Sequence, residues 1–483
     1  MAKSVVPKDA KAPPRPESAP LAPPGPLSLD DPAPEEASRS SRPAKHGLLS
    51  PLKLRDFSLL WVGMTISLLG DGLYFVAIAW QVIRLSDVPT ALSAVGVAWT
   101  VPQVLFLLIG GVVSDRVDRR AVMIGADIVR AAAIGALGFL SVTGVIELWH
   151  IFVLVAIYGA GDAFFMPAFG AIVPDIVPQN LLVEANSLDQ FVRPIAFRLV
   201  GPAIGGLMVA TWGSGRAFLI DAGSFLVSAL CVALIRHRPR ALSAGAKQSS
   251  VVTEIKEGFS FVRSHTWLWG TLMAAAIALL CFSGPLQVLV PFIVKENIGG
   301  DAGDYGLILA VGGVGSIVAS LAIGQGGLPR RNVTFMYLNW SIGTFVIAYY
   351  AIAGATWQAM LASVTIGATF TAGLIVWGTL IHKLVPPELL GRVSSLDWLV
   401  STSLTPLSFA LTGPIAQAIG KEATLAGAGV LGGFSVLAFL LLPGLRDIEE
   451  RGEHSADEPA RSRSEREPSE ALLYLNDGNG GDR

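Results

Sequence analysis

Charge is what this 483-residue sequence has least of: only 15% of it is Asp, Glu, Lys or Arg, against about 25% in an ordinary soluble domain. The shortage sits in the middle of the chain, which argues against a soluble globular protein. Ser264 to Val294 is an uncharged stretch of 31 residues, Tyr305 to Pro329 one of 25, and Asn332 to His382 one of 51. Since about 20 apolar residues cross the hydrocarbon core, these stretches hold one, one and two crossings. Cysteine is nearly absent. Cys231 and Cys281 are too few for a disulfide scaffold, lack metal-ligand spacing and read as packing residues. The six histidines, His46, His150, His237, His265, His382 and His454, are scattered, so no metal and no cofactor is expected. A formal net charge of −2 offers no footprint for nucleic acid. No Gly-x-x-x-x-Gly-Lys-Ser loop occurs, which speaks against ATP-driven work by this chain, and no nucleophile-and-base constellation suggests an enzyme.

Proline and glycine are abundant, and their placement divides the chain. Residues 1–46 hold 11 of the 30 prolines, a composition that cannot bury enough apolar surface to offset chain entropy, so a disordered arm is expected. It lacks an apolar core between a basic start and a small-residue cleavage site, and does not read as a secretory signal. Residues 446–483, rich in Arg, Glu, Ser and Asp, are expected to be a second disordered extension. Between them lie twelve apolar segments, the first six at about 57–84, 90–113, 121–141, 149–171, 188–211 and 217–235. The second six run at about 267–293, 304–325, 333–352, 356–382, 393–419 and 423–444. Lipid offers the backbone no hydrogen-bond partners, so segments of this length must be helices, and the alternation of an outer-membrane barrel is absent. The expectation is an all-α membrane protein of twelve transmembrane helices in two halves of six, 50–236 and 267–445, joined by a linker, 237–266.

The loops after the second, sixth, eighth and tenth segments carry most of the basic residues, among them Arg116, Arg119, Arg120, Arg236, Arg330, Arg331, Lys383 and Arg392. The opposite side has only Arg84, Arg216, Lys295 and Lys421. Basic loops stay in the cytoplasm, which places both chain ends there too. In the linker, Val252, Ile255, Phe259 and Val262 fall at helical spacing, with Glu254 and Glu257 opposite and Lys256 on the flank. This reads as an amphipathic helix on the cytoplasmic interface. Phe261 falls on its polar side, and an early start of the seventh helix is the alternative.

The second segment ends GGVVSDRVDRR: a small residue that lets the helix approach a neighbour, an acid at the membrane exit, and a short turn presenting three arginines. It resembles the Gly-x-x-x-Asp-Arg-x-x-Arg-Arg signature of the major facilitator superfamily, through Gly111, Asp115, Arg116, Arg119 and Arg120. Asp118 stands where that signature usually has glycine. In the fifth segment Gly201, Pro202, Gly205 and Gly206 look like the Gly-Pro-x-x-Gly-Gly motif of drug:proton antiporters. The segments GDAFFMPA, VPQNLLVEANSL, AFLIDAGSFLVSAL and VPPELLGRVSS follow in an order similar to the exporter subgroup that contains macrolide-efflux and enterobactin-export proteins. The resemblance covers about 50–445. It implies two six-helix bundles related by an axis along the membrane normal, and a monomer of the plasma membrane. It further implies export of a small amphipathic molecule in exchange for protons, by alternating access. It places the Asp115 carboxylate, as a gate, at the start of the eleventh helix near Gly391 to Ser395, and has the Gly-Pro motif kink the fifth helix against the eighth. GQGGLPRRN, with Gly324, Gly327, Arg330 and Arg331, repeats the first signature weakly and lacks its acid.

An ionised carboxylate at the bilayer centre costs roughly 3 kcal/mol on insertion scales, so each asks for a reason. The first half holds nearly all such charges: Asp71, Asp127, Arg130, Asp162, Asp189, Arg193, Arg198 and Asp221. Asp71 lies near the midplane between Gly70 and Gly72, which loosen the helix and leave room for water or ligand. It is the first candidate for proton coupling, and Asp162, beside Phe164, Phe165 and Pro167, the second. Asp127 and Arg130 are three apart on one helix face, and Asp189 and Arg193 four apart, both spacings of local ion pairs. Arg198 points elsewhere and has three destinations: Asp162, the interface, or the cavity wall. In the cavity it would favour an anionic or zwitterionic ligand. Asp221 reads as a structural acid.

Tyr74, Gln103, Phe165, Phe282, Gln287, Thr371 and Trp377 are the polar and aromatic groups expected to line a substrate cavity suited to an amphipathic molecule. Uptake by symport, and a non-transporting membrane sensor or scaffold, are the competing functions.

Overall fold

The computed structural model describes residues 47–236 and 251–449, without the side chains of 108, 115, 251–255, 387 and 388. The Pro-rich arm, 237–250 and the tail from 450 onward lie outside the described residues. Twelve helical segments are long and apolar enough to cross a bilayer. In the first half they are α1 (Arg55–Leu85), α2 (Pro89–Arg116), α3 (Arg119–Thr143), α4 (Leu148–Ile176), α5 (Gln179–Trp212) and α6 (Ser214–Ala233). In the second they are α7 (Thr266–Asn297), α8 (Ala302–Gly326), α9 (Asn332–Ile352), α10 (Thr356–Leu384), α11 (Leu389–Ile419) and α12 (Lys421–Phe439). Leu105, Phe139, Leu207, Leu226, Leu361 and Leu431 are each more than half exposed, a surface that water would penalise and lipid accommodates.

Packing follows one plan twice. In the first half α1 packs on α5 and α6, α2 on α4, and α3 on α4 and α6. In the second, α7 packs on α11 and α12, α8 on α10, and α9 on α10 and α12, the same pattern six helices on. The halves meet through α2 against α11 and α5 against α8, a pair of contacts that the pseudo-symmetry exchanges. Small residues make these contacts close. A Cβ on Gly306 of α8 would lie 2.5 Å from the Pro202 carbonyl oxygen, and one on Gly413 of α11 would lie 2.6 Å from Thr90 Cα.

Two helices depart from α geometry where proline removes an N–H from the ladder. In α5, Pro194–Val200 is a π-helical turn before the Gly-Pro motif, and in α7 Pro285–Leu289 is another. The linker contains a helix at Val251–Ser264, and the side chains of Val252 and Ile255 on its expected apolar face lie outside the described residues. Val262 is buried and Phe261 packs with it against the second half, while Phe259 is 57% exposed. Glu257 pairs with Arg392 on α11, so this helix docks on the bundle. The first residues of the expected tail, 446–449, engage the second half. Ile448 packs on the second half, and the Glu449 carboxylate accepts from the Thr334 N–H at 2.7 Å and its hydroxyl at 2.9 Å, satisfying the first turn of α9.

Candidate functional site

A cavity of about 1330 Å³ lies between the halves, walled by α1 to α5 on one side and by α8, α10 and α11 on the other. Its lining runs from Asp71, Trp99 and Arg198 at mid-depth to His382 and Lys383 at the basic end of α10. The opposite end is sealed. There Gly206 and Gly306 bring α5 and α8 into backbone contact, Gln417 of α11 donates to Thr90 of α2 at 3.2 Å, and Lys295 of α7 reaches Asp87, in the α1–α2 loop, at 2.8 Å. Lys295 holds the Asp87 carboxyl below the ordinary carboxylate range.

The first half's charges converge beside this cavity. Asp71, half-buried on α1, accepts from the Tyr158 hydroxyl of α4 at 2.8 Å. Tyr158 and Asp162 are four apart and share one face of α4. Arg130 of α3 donates to Asp162 at 2.9 Å and also pairs with Asp127 on its own helix. Its guanidinium lies between the Phe165 and Phe225 rings, 4.2 and 4.4 Å from their centroids, so one buried cation serves two carboxylates. Asp221, wholly buried on α6, accepts from Ser224 at 3.2 Å and fits against Gly70, where a Cβ would stand 2.2 Å from its Oδ1. It is therefore a direct neighbour of the Asp71 segment. Arg193 pairs with Asp189 at 3.3 Å. Arg198 makes no ion pair with any described residue and opens onto the cavity.

Several expected positions differ. Gly111 has open space beside it, and Gly110 is the contact glycine, where a Cβ would stand 2.3 Å from the Ala163 carbonyl oxygen of α4. The side chain of Asp115 is outside the described residues, and Arg116 is exposed. Arg119 pairs with Asp175 on α4 and Arg120 donates to the Val232 carbonyl of α6 at 2.9 Å, so both tie the first half to itself. Asp118, in place of the usual glycine, accepts from the Arg120 N–H at 3.1 Å and caps α3.

Gln103, Phe165 and Thr371 are on the cavity wall. Four others are not. Tyr74 is buried against Tyr158, 4.9 Å between centroids, and Phe282 packs on Phe370 at 4.2 Å. Gln287 sits in the π turn of α7, away from the lining. Trp377 donates to Asp397 of α11 at 3.0 Å within the second half's core. For Phe282 and Gln287 the reason is that α7 turns its small face to α11, with Gly284 pressed on the Ser408 carbonyl, so that α8, α10 and α11 supply the second half's wall. Sequence reasoning misses Tyr158 and Asp397. Tyr158 has a signal in its spacing from Asp162, and Asp397 in being an acid inside the eleventh segment.

Residues 46–466 match the transmembrane secretion effector family. Multidrug efflux pump Tap of Mycolicibacterium fortuitum is 27% identical over 83% of this chain and 97% of its own length. Macrolide efflux protein A of Streptococcus pyogenes is 24% identical over 75% and 90%. Among solved structures, the nucleoside transporter NupG aligns with a TM-score of 0.62 at 12% identity, over 81% of this chain and 98% of its own. An inward-facing bacterial homologue of the human lysosomal transporter Spinster aligns at 0.60 and 15%, over 83% and 97%.

Proposed function

Because the chain belongs to the transmembrane secretion effector family of major facilitator transporters, we propose that it exports an amphipathic small molecule across the plasma membrane in exchange for protons. The observation that carries this is Asp71 on the wall of a cavity shared by both halves, open at the basic end and sealed at the other. With the basic loops in the cytoplasm, that state faces inward and receives cargo from the cell. The relatives named as efflux pumps favour export over uptake.

Asp71 is the proton carrier. Arg130 is already committed to Asp127 and Asp162, while Asp71 has only a neutral hydroxyl for a partner among the described residues. It can lose and regain a proton against cavity water without breaking an ion pair, and Asp162, 15% exposed, is the second site. Rocking of the two bundles about the α2–α11 and α5–α8 contacts then presents Asp71 to one side at a time. Asp115, at the cytoplasmic end of α2, acts as the latch that closes the inner side. Each chain lines its own cavity, so a monomer suffices for this cycle.

Efflux by inverted vesicles, across an amphipathic compound panel with and without an uncoupler, tests the reading. Uptake into the vesicles driven by an imposed pH gradient, lost in Asp71→Asn, is the expected result. Normal pumping by Asp71→Asn overturns the assignment of the carrier, and movement indifferent to the uncoupler overturns proton exchange.

A further inference from the structure

Asp71 and Arg198 are rooted on either side of one backbone contact. Gly72, next to Asp71, touches α5 so closely that a Cβ there would lie 2.7 Å from the Phe197 carbonyl oxygen and 2.9 Å from Gly201 Cα. Both side chains line the cavity, yet they form no ion pair with each other. The other mid-depth cations are taken: Arg130 by Asp127 and Asp162, and Arg193 by Asp189. The mostly apolar cavity wall thus carries an acid and a guanidinium, each without an ion-pair partner among the described residues. Phe75, Trp99 and Phe197 line the same cavity, with Phe75 edge-on to both others at 5.4 Å.

We infer that the cargo is an amphipathic zwitterion, whose anionic group docks on Arg198 and whose cationic group takes the place of the proton on Asp71. This rests on Asp71 being the carrier and adds what the cavity selects. A purely anionic cargo bound beside Asp71 would bind better when Asp71 is protonated, which couples the two in the same direction. A cationic centre competes with the proton, as exchange requires, and the anion then accounts for Arg198. One proton passes from Asp71 to cavity water for each zwitterion bound. The charged or titratable groups around Asp71 are Tyr74 on its own helix, Tyr158 and Asp162 from α4, Asp127 and Arg130 from α3, and Asp221 from α6, while Arg193 and Arg198 of α5 line the same cavity. Those that α2 and α8 present to the cavity, Trp99, Gln103, Ser316 and Ser320, are neutral.

Arg198 also sits where a ligand would be felt by both halves. It belongs to the π turn of α5, and its own carbonyl is pressed on Gly313 of α8, where a Cβ would lie 2.7 Å away.

Three dansyl probes with similar bodies and different heads test this on the purified full chain in phosphatidylcholine nanodiscs: Nε-dansyl-lysine, dansylcadaverine and 6-(dansylamino)hexanoate. The zwitterionic lysine probe is expected to bind at least about ten-fold tighter than either singly charged one. Arg198→Gln should remove its advantage over the amine, and Asp71→Asn its advantage over the acid. Arg198→Lys should keep part of the preference, and unchanged dansylcadaverine binding in Arg198→Gln shows that the variant is folded. Wild-type binding of the lysine probe should release about one proton into weakly buffered solution, and Asp71→Asn none. Equal binding of either singly charged probe, no binding of the zwitterion, or a preference that survives Arg198→Gln overturns the inference. Proton-driven efflux of dansylcadaverine alongside such a result would leave the export reading standing, so the two fail separately.

Discussion

In the first half, α3, α4 and α6 bury Asp127, Arg130, Asp162 and Asp221 around Asp71. Among the described residues, the buried polar contacts of α9 in the second half are neutral: Tyr337 donates to Thr271 at 3.0 Å, Ser341 to the Gly433 carbonyl at 3.2 Å, and Thr344 to the Trp340 carbonyl at 2.8 Å. Asp397 is the acid nearest to an exception, and it is engaged by Trp377 and Ser401. Two bundles with one packing plan thus differ in what they can do. Hydroxyls bonded within the helix core hold a shape, whereas the first half also holds a carboxylate, Asp71, that no ion pair engages among the described residues. On the proposed reading, the second half contributes a wall and the first contributes the chemistry.

The largest effect expected from breaking this contrast is on efflux. Asp71→Asn should bring pH-driven efflux in inverted vesicles to background, while Asp397→Asn should leave it within a few-fold of normal. Equal losses would mean that the chemistry is shared between the halves. Next come the buried groups themselves. Arg130→Gln strands two carboxylates and should cost about 3–5 kcal/mol of stability, whereas Tyr337→Phe, which removes one neutral bond, should cost about 1 kcal/mol. Thermal unfolding in detergent, tracked by tryptophan fluorescence, ranks the two.

Glycine substitutions sharpen the comparison at the boundary between the halves. Gly306→Val puts side-chain atoms into the Pro202 backbone and should block sealing of the outer end, read as a several-fold loss of efflux and new cysteine-labelling access there. Gly111→Ala faces open space and should change stability by less than about 0.5 kcal/mol. The smallest effect belongs to the Lys295–Asp87 pair. Its carboxylate is held low, so the contact is complete across neutral pH and is lost only as acid titrates Asp87 through its lowered value. Lys295→Gln should therefore shift the unfolding midpoint slightly and equally at pH 6 and pH 8, and a shift that differs between them would assign the contact to another group.

The features legible in the sequence are those governed by rules that act locally along the chain. Lipid forces long uncharged stretches into helices, so twelve crossings can be read directly, most ends within a few residues although α5 starts at Gln179 and not near 188, as can the i,i+3 and i,i+4 partners of Arg130 and Arg193. The contact between α5 and α8 came from the family resemblance. Which face a helix turns to its neighbours is set by all the helices packing at once. Adjacent glycines on α2 give the example: the pattern points to Gly111, and Gly110 makes the contact. The same holds for Tyr74 and Trp377, whose residue types suit a cavity and whose helix rotation buries them.

The sequence by itself determined the crossings, the division into two halves and the concentration of intramembrane charge in the first, because each depends only on how a stretch of side chains meets lipid or water. Only the tertiary structure decided that Tyr158 holds Asp71, that Arg130 is shared by two acids, and that Arg198 faces the cavity without an ion pair to any described residue. Those depend on the distance between side chains far apart in the chain, which helix packing fixes and composition does not.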